Sequence, residues 1–218
     1  MREPGDSYRA GATAAVPVAI AVGVFGVSFG VLARNAGIGT AAAVLMSATT
    51  FAGSAQFAAV AVLAQGGSAA TALLAVALLN SRYLPIGASI ASVLDRSPLR
   101  RFFEAQLVVD ESWAIAHQAD RPLRHRLLGA GVTIYVAWVL GTVVGAVGGG
   151  FIGNPTRLGL DAAFPALFLA LVVAQLRSRR AVAAALLGGA IALALVPLTP
   201  VGVPVLLASA ACLLGLRR

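Results

Sequence analysis

Long apolar runs separated by short polar connectors dominate the chain. The runs show no strict alternation of apolar and polar residues, and backbone groups in lipid need partners within their own segment, so the pattern predicts helices rather than a barrel. A helix needs about 20 residues to cross the hydrocarbon of a bilayer. The pattern predicts an all-α, polytopic transmembrane helical bundle of about seven spans, forming a single domain over residues 1–218. The runs are Ala12–Ala33, Thr40–Ala64, Ser68–Leu94, Leu127–Gly148, Ala162–Leu176, Ala181–Pro197 and Val201–Leu216.

The composition supports an integral membrane protein. Of the 218 residues, 59% are hydrophobic and only 11% are charged, whereas about 25% of the residues of a soluble domain are charged. Such a chain has too few polar side chains to cover a surface that faces water. We therefore predict that lipid surrounds most of it.

The charged residues exclude several classes of function. The net charge is +8, and the chain has arginine but no lysine. The arginines are scattered in short connectors without a basic aromatic face, which indicates membrane topology rather than nucleic-acid binding. Without lysine there is no Walker-type ATPase, and His117, His125 and the single Cys212 form no metal or disulfide pattern. We predict no metal, no cofactor and no enzymatic activity.

One polar segment, Phe102–Gln118, leaves the topology open, because it could span, lie in the interface or re-enter. If it does not span, twelve arginines fall on one side of seven spans and three on the other; if it spans, the division is ten to five. The positive-inside rule favours seven spans, with the N-terminus outside and the C-terminus inside.

A weak similarity between two segments of the chain suggests an inverted 3+3 repeat. Phe57–Leu74 and Phe168–Leu186 each contain an apolar stretch, then Ala-Gln, a short turn with serine, and a helix rich in alanine and leucine. Inverted repeats are common in secondary transporters, which bind substrate where the repeats meet. Chance similarity between such segments is the alternative.

Arg82 is the most informative single residue, because it lies near the middle of the run Ser68–Leu94. A charge at that depth costs at least about 2.5–3.5 kcal/mol, which a partner charge, a water-filled cavity or an anionic substrate must offset. Asn80 precedes it and Pro85 follows it, so we predict a break in the helix. Arg82, with Asn80, is a candidate to bind a carboxylate through its planar guanidinium.

The second run carries polar residues in its centre, in the sequence FAGSAQF. Gly53, Ser54 and Gln56 weaken the helix there, and a broken helix would free backbone groups to hold a ligand. These three residues are further substrate-binding candidates. Close packing between helices is the alternative, most of all for Gly53.

Three carboxylates are candidates for proton coupling: Asp110, Glu111 and Asp161. A carboxylate that faces the bundle has a raised pKa through desolvation and can carry a proton. Each is also a candidate counter-ion for Arg82, and Asp161 could be an ordinary helix cap. Asp110 and Glu111 could instead lie on a solvated helix, paired with the arginines of the preceding connector, Arg96, Arg100 and Arg101.

The sequence resembles the AzlC family, the large subunit of branched-chain amino acid exporters, over roughly residues 10–175. The element Leu79–Tyr83 keeps the Asn and Arg of the family's Leu-Asn-Leu-Arg-His, with Ser81 and Tyr83 as departures. The resembling segments are GVFGVSFGVLARNAG (Gly23–Gly37), LMSATTFAGSAQFAAVAVLAQG (Leu45–Gly66), ALLNSRYLPIGASIA (Ala77–Ala91), VVDESWAIA (Val108–Ala116) and LGLDAAFPALF (Leu158–Phe168).

The resemblance implies a secondary exporter in the cytoplasmic (inner) membrane. The implied cargo is branched-chain amino acids, with methionine as a further cargo, and the implied driving force is the proton gradient. The implied partner is a small transmembrane subunit of the AzlD type. The alternatives are a passive channel or facilitator for small amino acids or related solutes, a membrane-bound enzyme, and a scaffold whose partner forms the pathway.

Overall fold

Helices are the only regular elements in the part of the chain that the structure describes. The computed structural model describes residues 6–117, 123–149, 178–199 and 203–208, and single positions at 169, 172, 173, 176, 210 and 211. The all-helical prediction is confirmed for these residues. In chain order the helices are α1 (Tyr8–Asn35), α2 (Thr40–Thr50), α3 (Gly53–Ala64), α4 (Ala69–Asn80), α5 (Tyr83–Ile90), α6 (Pro98–Gln106), α7 (Asp110–Ala116), α8 (Arg124–Gly148), α9 (Arg179–Leu195) and α10 (Val203–Ala208).

Two of the described helices, α1 and α8, are long and apolar enough to cross a membrane, with 28 and 25 residues. A third candidate consists of α4 and α5 together, interrupted at Ser81 and Arg82. The apolar α2 and α3 are shorter, with 11 and 12 residues. Breaks thus occur in both runs where the sequence predicts them. Most of the run Ala162–Leu176 lies outside the described residues, as does the Ala-Gln pair of the second similar segment, so seven spans and an inverted repeat stay predictions.

The chain divides into two compact units. Unit 1 consists of Met1–Gly53 and Asn80–Ile152, and unit 2 of Ser54–Leu79 and Gly153–Arg218. Within unit 2, a Cβ atom added at Gly188 of α9 would lie 3.4 Å from the carbonyl oxygen of Ala208 in α10, so these two helices pack closely. Ser178 begins α9 by accepting a hydrogen bond from the Ala181 N–H at 3.1 Å.

Close contact between α1 and α8 organises unit 1. Gly26 and Gly30 of α1 face Gly141 and Gly145 of α8, and a Cβ atom added at any of the four would clash with backbone atoms of the other helix. Small residues let two helix backbones approach and gain van der Waals contact, which drives helix association in membranes. These four glycines therefore serve the packing of α1 against α8.

Polar contacts fix both ends of this helix pair. Asp6 caps the start of α8, because its Oδ1 accepts the backbone N–H groups of His125 at 2.8 Å and Arg126 at 3.1 Å. At the other end, Arg34 donates to the carbonyl of Ala146 at 3.0 Å. The first contact satisfies N–H groups that a helix start leaves without partners, and the second satisfies a carbonyl near the helix end.

The ambiguous segment Phe102–Gln118 forms two short helices rather than one. Helix α6 ends at Gln106 and α7 begins at Asp110. Ser112 holds the connector, donating from Oγ to the carbonyl of Leu107 at 2.8 Å and accepting from the N–H of Val109 at 3.0 Å. Asp110 therefore does not share one continuous helical face with Phe103 and Leu107.

Candidate functional site

The break between α2 and α3 is held by side chains of α6 and α8. Phe51 has a φ of +40°, an uncommon left-handed conformation for a bulky residue. Its ring packs edge to face on Tyr135 with centroids 5.0 Å apart, and the Tyr135 hydroxyl donates to the carbonyl of Ala48 at 2.9 Å. Gln106 Nε2 donates to the carbonyl of Thr49 at 2.7 Å. Tertiary contacts therefore stabilise a strained turn here, as is common at functional sites.

Arg82 forms an ion pair with Asp110 across the second break. Arg82 lies between α4 and α5, and its Nη2 is 3.0 Å from Asp110 Oδ2, at the first residue of α7. The guanidinium carbon also lies 5.1 Å from the centroid of the Tyr83 ring, within the range of a cation–π contact. The two charged side chains are 36% and 42% exposed, so other protein groups leave part of each uncovered.

Helix α7 is attached to α5, which fixes the position of Asp110. Trp113 Nε1 donates to the Ser89 hydroxyl at 2.9 Å. The neighbouring Glu111 lies in α7, outside the candidate spans. Burial raises the pKa of the Glu111 carboxyl above its ordinary value, and the Asp110 carboxylate adds to the rise, against opposing effects of Arg82 and a backbone hydrogen bond. Glu111 therefore holds a proton more readily than an exposed glutamate does.

A cavity of about 280 Å³ adjoins the ion pair within unit 1, because Tyr83 both contacts Arg82 and contributes to the cavity wall. The cavity lies between the end of α2, helix α5 and the connector from α6 to α7. Asn80 is one of the residues that line the cavity. Its Oδ1 atom is buried and has no hydrogen-bond partner among the described residues. The lining residues are Thr50, Phe51, Ala52, Asn80, Tyr83, Gly87, Ile90, Leu94, Ala105, Gln106 and Val108.

The structure distributes the predicted site residues over both units. Asn80, Arg82, Asp110 and Glu111 lie in unit 1, where Arg82 and Asp110 meet directly. In that unit a Cβ atom added at Gly53 would lie 3.2 Å from the indole of Trp138, which favours the packing interpretation of this glycine.

The other predicted residues lie elsewhere. Ser54 and Gln56 are buried in α3 within unit 2. Asp161, the third proton-coupling candidate, lies outside the described residues.

Pairing with the arginines of the connector was the alternative for Asp110 and Glu111. The structure does not show it for Asp110, which binds Arg82 instead. Arg100 lies 3.9 Å from Asp95 instead. Arg124 forms the centre of a separate network, with Asp95 at 3.2 Å and Glu104 in direct contact. This second cluster of charges belongs to the connector before α6 and the start of α8.

Sequence reasoning missed several residues of the cavity, among them Thr50, Tyr83 and Gln106. Tyr83 carried a signal, because it follows Arg82 directly and could contact it. Gln106 carried none, since its contact with α2 spans 57 residues of sequence. Within the described chain there is no group of three His, Cys, Asp or Glu residues that could hold a metal ion.

Apolar helices of spanning length, together with an arginine at the break of an apolar run, are the features of a helical membrane protein. The chain belongs to the AzlC family. The family profile described as "AzlC protein" matches residues 17–152.

Three relatives show how far the similarity extends. An uncharacterized membrane protein of Archaeoglobus fulgidus is 34% identical over 201 residues, which cover 90% of this chain and 89% of the relative. The inner membrane protein YgaZ of Escherichia coli is 29% identical over 85% of this chain and 81% of its own length. The branched-chain amino acid transport protein AzlC of Bacillus subtilis is 23% identical over 78% and 68%. No solved structure matches the chain significantly.

Proposed function

We propose that the protein is a secondary exporter of branched-chain amino acids, with methionine as a further cargo. The observation that carries the proposal is the Arg82–Asp110 ion pair at a break in an apolar run of spanning length. Ionisable residues inside such runs usually mark a substrate or ion pathway. The name of the Bacillus subtilis relative, a branched-chain amino acid transport protein, supports the choice of cargo.

The pair is complementary to an amino acid zwitterion. The guanidinium of Arg82 can hold the substrate carboxylate through two parallel hydrogen bonds. The Asp110 carboxylate can hold the ammonium group. The two side chains bind each other at 3.0 Å, and we propose that the substrate enters by separating them.

This arrangement couples protons and amino acids so that they move in opposite directions, as export requires. A proton on Asp110 removes the negative charge that holds the ammonium group, so a proton and an amino acid bind alternately. By linkage, each weakens the binding of the other by the same factor. Inward movement of protons can then drive amino acids outward. Glu111, with its raised pKa, is the neighbouring group that passes the proton on. Asp161 stays a separate candidate for proton coupling.

The remaining predicted residues complete the proposal. We propose that Ser54 and Gln56 contribute polar groups in α3 and Asn80 at the second break, whereas Gly53 packs against Trp138. Phe51, at the first break, provides apolar surface for the branched side chain. We propose one transporter domain over residues 1–218, with seven spans in the cytoplasmic membrane, acting with a small AzlD-type subunit.

Counterflow of labelled leucine in proteoliposomes, with and without the small subunit, tests this function. The protein should exchange leucine, isoleucine and valine, and Arg82→Ala should abolish the exchange. Arg100→Ala is the matched control, because the Arg100 side chain is 77% exposed and outside the site. Exchange at the wild-type rate in Arg82→Ala would remove Arg82 from the site. Leucine efflux that continues against its gradient without a proton gradient would exclude proton coupling.

A further inference from the structure

The cavity beside Tyr83 has the composition of a subsite for an apolar ligand. Phe51, Ala52, Ile90, Leu94 and Val108 provide apolar surface. Its volume of about 280 Å³ lies just below the range of about 300–1,000 Å³ that is typical of small-molecule sites. A cavity of this size suits a small aliphatic group rather than a large ring system.

The polar character of the cavity favours a cation. None of its lining residues is charged. Asn80 Oδ1 is buried and accepts no hydrogen bond from any described residue. A buried oxygen in this state costs free energy until a donor reaches it, so it is a place where a ligand N–H gains affinity.

The C-terminal end of α2, like Asn80, favours a cation in the cavity. Thr50, the last residue of α2, and Phe51, its C-cap, both line the cavity. The C-terminal end of a helix carries partial negative charge, which attracts cations and repels anions. Two independent features of unit 1 therefore disfavour a carboxylate in the cavity and favour an ammonium group.

We propose that this cavity is the subsite for the ammonium end and the aliphatic side chain of the ligand, with Asn80 Oδ1 accepting an ammonium N–H. The proposal rests on the proposed function, in which Arg82 takes the carboxylate. Tyr83 contacts Arg82 and lines the cavity, so it lies beside both the guanidinium and the proposed subsite. An ammonium group has three N–H donors, which Asp110 and Asn80 can share.

A charge series on one carbon skeleton tests the subsite without any substitution. Isoamylamine, isoamyl alcohol and isovalerate present a cation, a neutral group and an anion at the same place. Their binding to the purified full-length protein is measured by calorimetry. We expect isoamylamine to bind at least about tenfold more tightly than the alcohol, because a hydrogen bond to a charged group is the stronger kind. Equal binding of amine and alcohol, or tighter binding of isovalerate, would overturn the proposal.

Two substitutions locate the binding in the cavity. Asn80→Ala should weaken isoamylamine binding about tenfold, Asn80→Asp should retain it, and Asn35→Ala, at an exposed asparagine of α1, should leave it unchanged. Gly87→Leu should block the cavity, since a Cβ atom there meets no atom within 4 Å and the fold can accept it. Gly189→Leu, in equally open space on α9, is the matched control.

The outcomes separate this inference from the proposed function. If the amine series and the Gly87→Leu effect hold but no leucine exchange occurs, the subsite stands and the transport assignment fails. If leucine exchange is normal in Asn80→Ala and in Gly87→Leu, transport stands and the subsite is wrong.

Discussion

Arg82 Nη2 lies 3.0 Å from Asp110 Oδ2, which joins the break between α4 and α5 to the first residue of α7. The carboxylate of Asp110 is a partner charge that offsets the cost of an arginine inside an apolar run. We propose that the pair also binds a zwitterion.

Exchanging the two charges separates binding from stability. The double substitution Arg82→Asp with Asp110→Arg keeps an opposite-charge pair, so we expect a melting temperature close to that of the wild type. Leucine exchange should be lost, because the guanidinium then stands on α7, in a different position relative to the break. Retained exchange would show that only the presence of a pair matters. The measurements are thermal unfolding in detergent and counterflow.

The glycine contact between α1 and α8 predicts a large effect of one methyl group. Gly145→Ala places a Cβ atom against the backbone of Val27, and overpacking of this kind costs about 1–3 kcal/mol. Gly189→Ala, in open space within α9, should be neutral or stabilising by up to about 1 kcal/mol, because alanine favours helix. Equal melting temperatures for the two variants would contradict the packing described for unit 1.

The Asp6 cap predicts a stability difference that depends on pH. Burial raises the pKa of Asp6, but hydrogen bonds from His125 and the Arg126 backbone outweigh it and hold the pKa below its ordinary value of 3.8. The stabilisation is therefore complete above pH 3.8 and is lost as the pH falls through the lowered pKa.

Asp6→Ala should cost about 0.5–2 kcal/mol near neutral pH, as other cap removals do. Asp6→Asn keeps a capping oxygen, so its stability should lie between that of the wild type and that of Asp6→Ala. Unfolding curves at several pH values check this. A gap between wild type and Asp6→Ala that stays constant down to strongly acidic pH would argue against a charged cap.

A buried hydroxyl pair joins α2 to α8 and predicts energetic coupling. Ser47 Oγ and Thr142 Oγ1 are 2.8 Å apart, and both residues are fully buried. A double-mutant cycle with Ser47→Ala and Thr142→Val should give a coupling energy of about 0.5–1.5 kcal/mol. Ser28 and Thr133, whose hydroxyls bond within their own helices, form a control cycle that should show no coupling.

The sequence predicted the local features of the site better than its long-range contacts. The depth of Arg82 and the breaks near FAGSAQF and Pro85 follow from composition and from the cost of charge in lipid. The choice of Asp110 over Glu111 as the counter-ion of Arg82 depends on how α7 is turned against α5. The residue pattern of α5 or of α7 alone does not determine that orientation.

The interruption between α6 and α7 escaped prediction for a related reason. Residues Leu107–Val109 include no proline or glycine. The helix ends there because Ser112 bonds to the connector backbone. The cavity is likewise assembled from three separate stretches of chain, so only the tertiary structure shows that Asn80, Gly87 and Gln106 share it.

Proton movement coupled to leucine tests the central claim most directly. In proteoliposomes containing the protein and the proposed small subunit, an outward leucine gradient should drive protons inward, as a pH dye inside the vesicles records. In Asp110→Asn, leucine counterflow should persist at a reduced rate while the coupled proton movement disappears, because the amide can accept the ammonium N–H but cannot carry a proton. Wild-type proton movement in Asp110→Asn, or none in the wild type while leucine moves, would contradict the account.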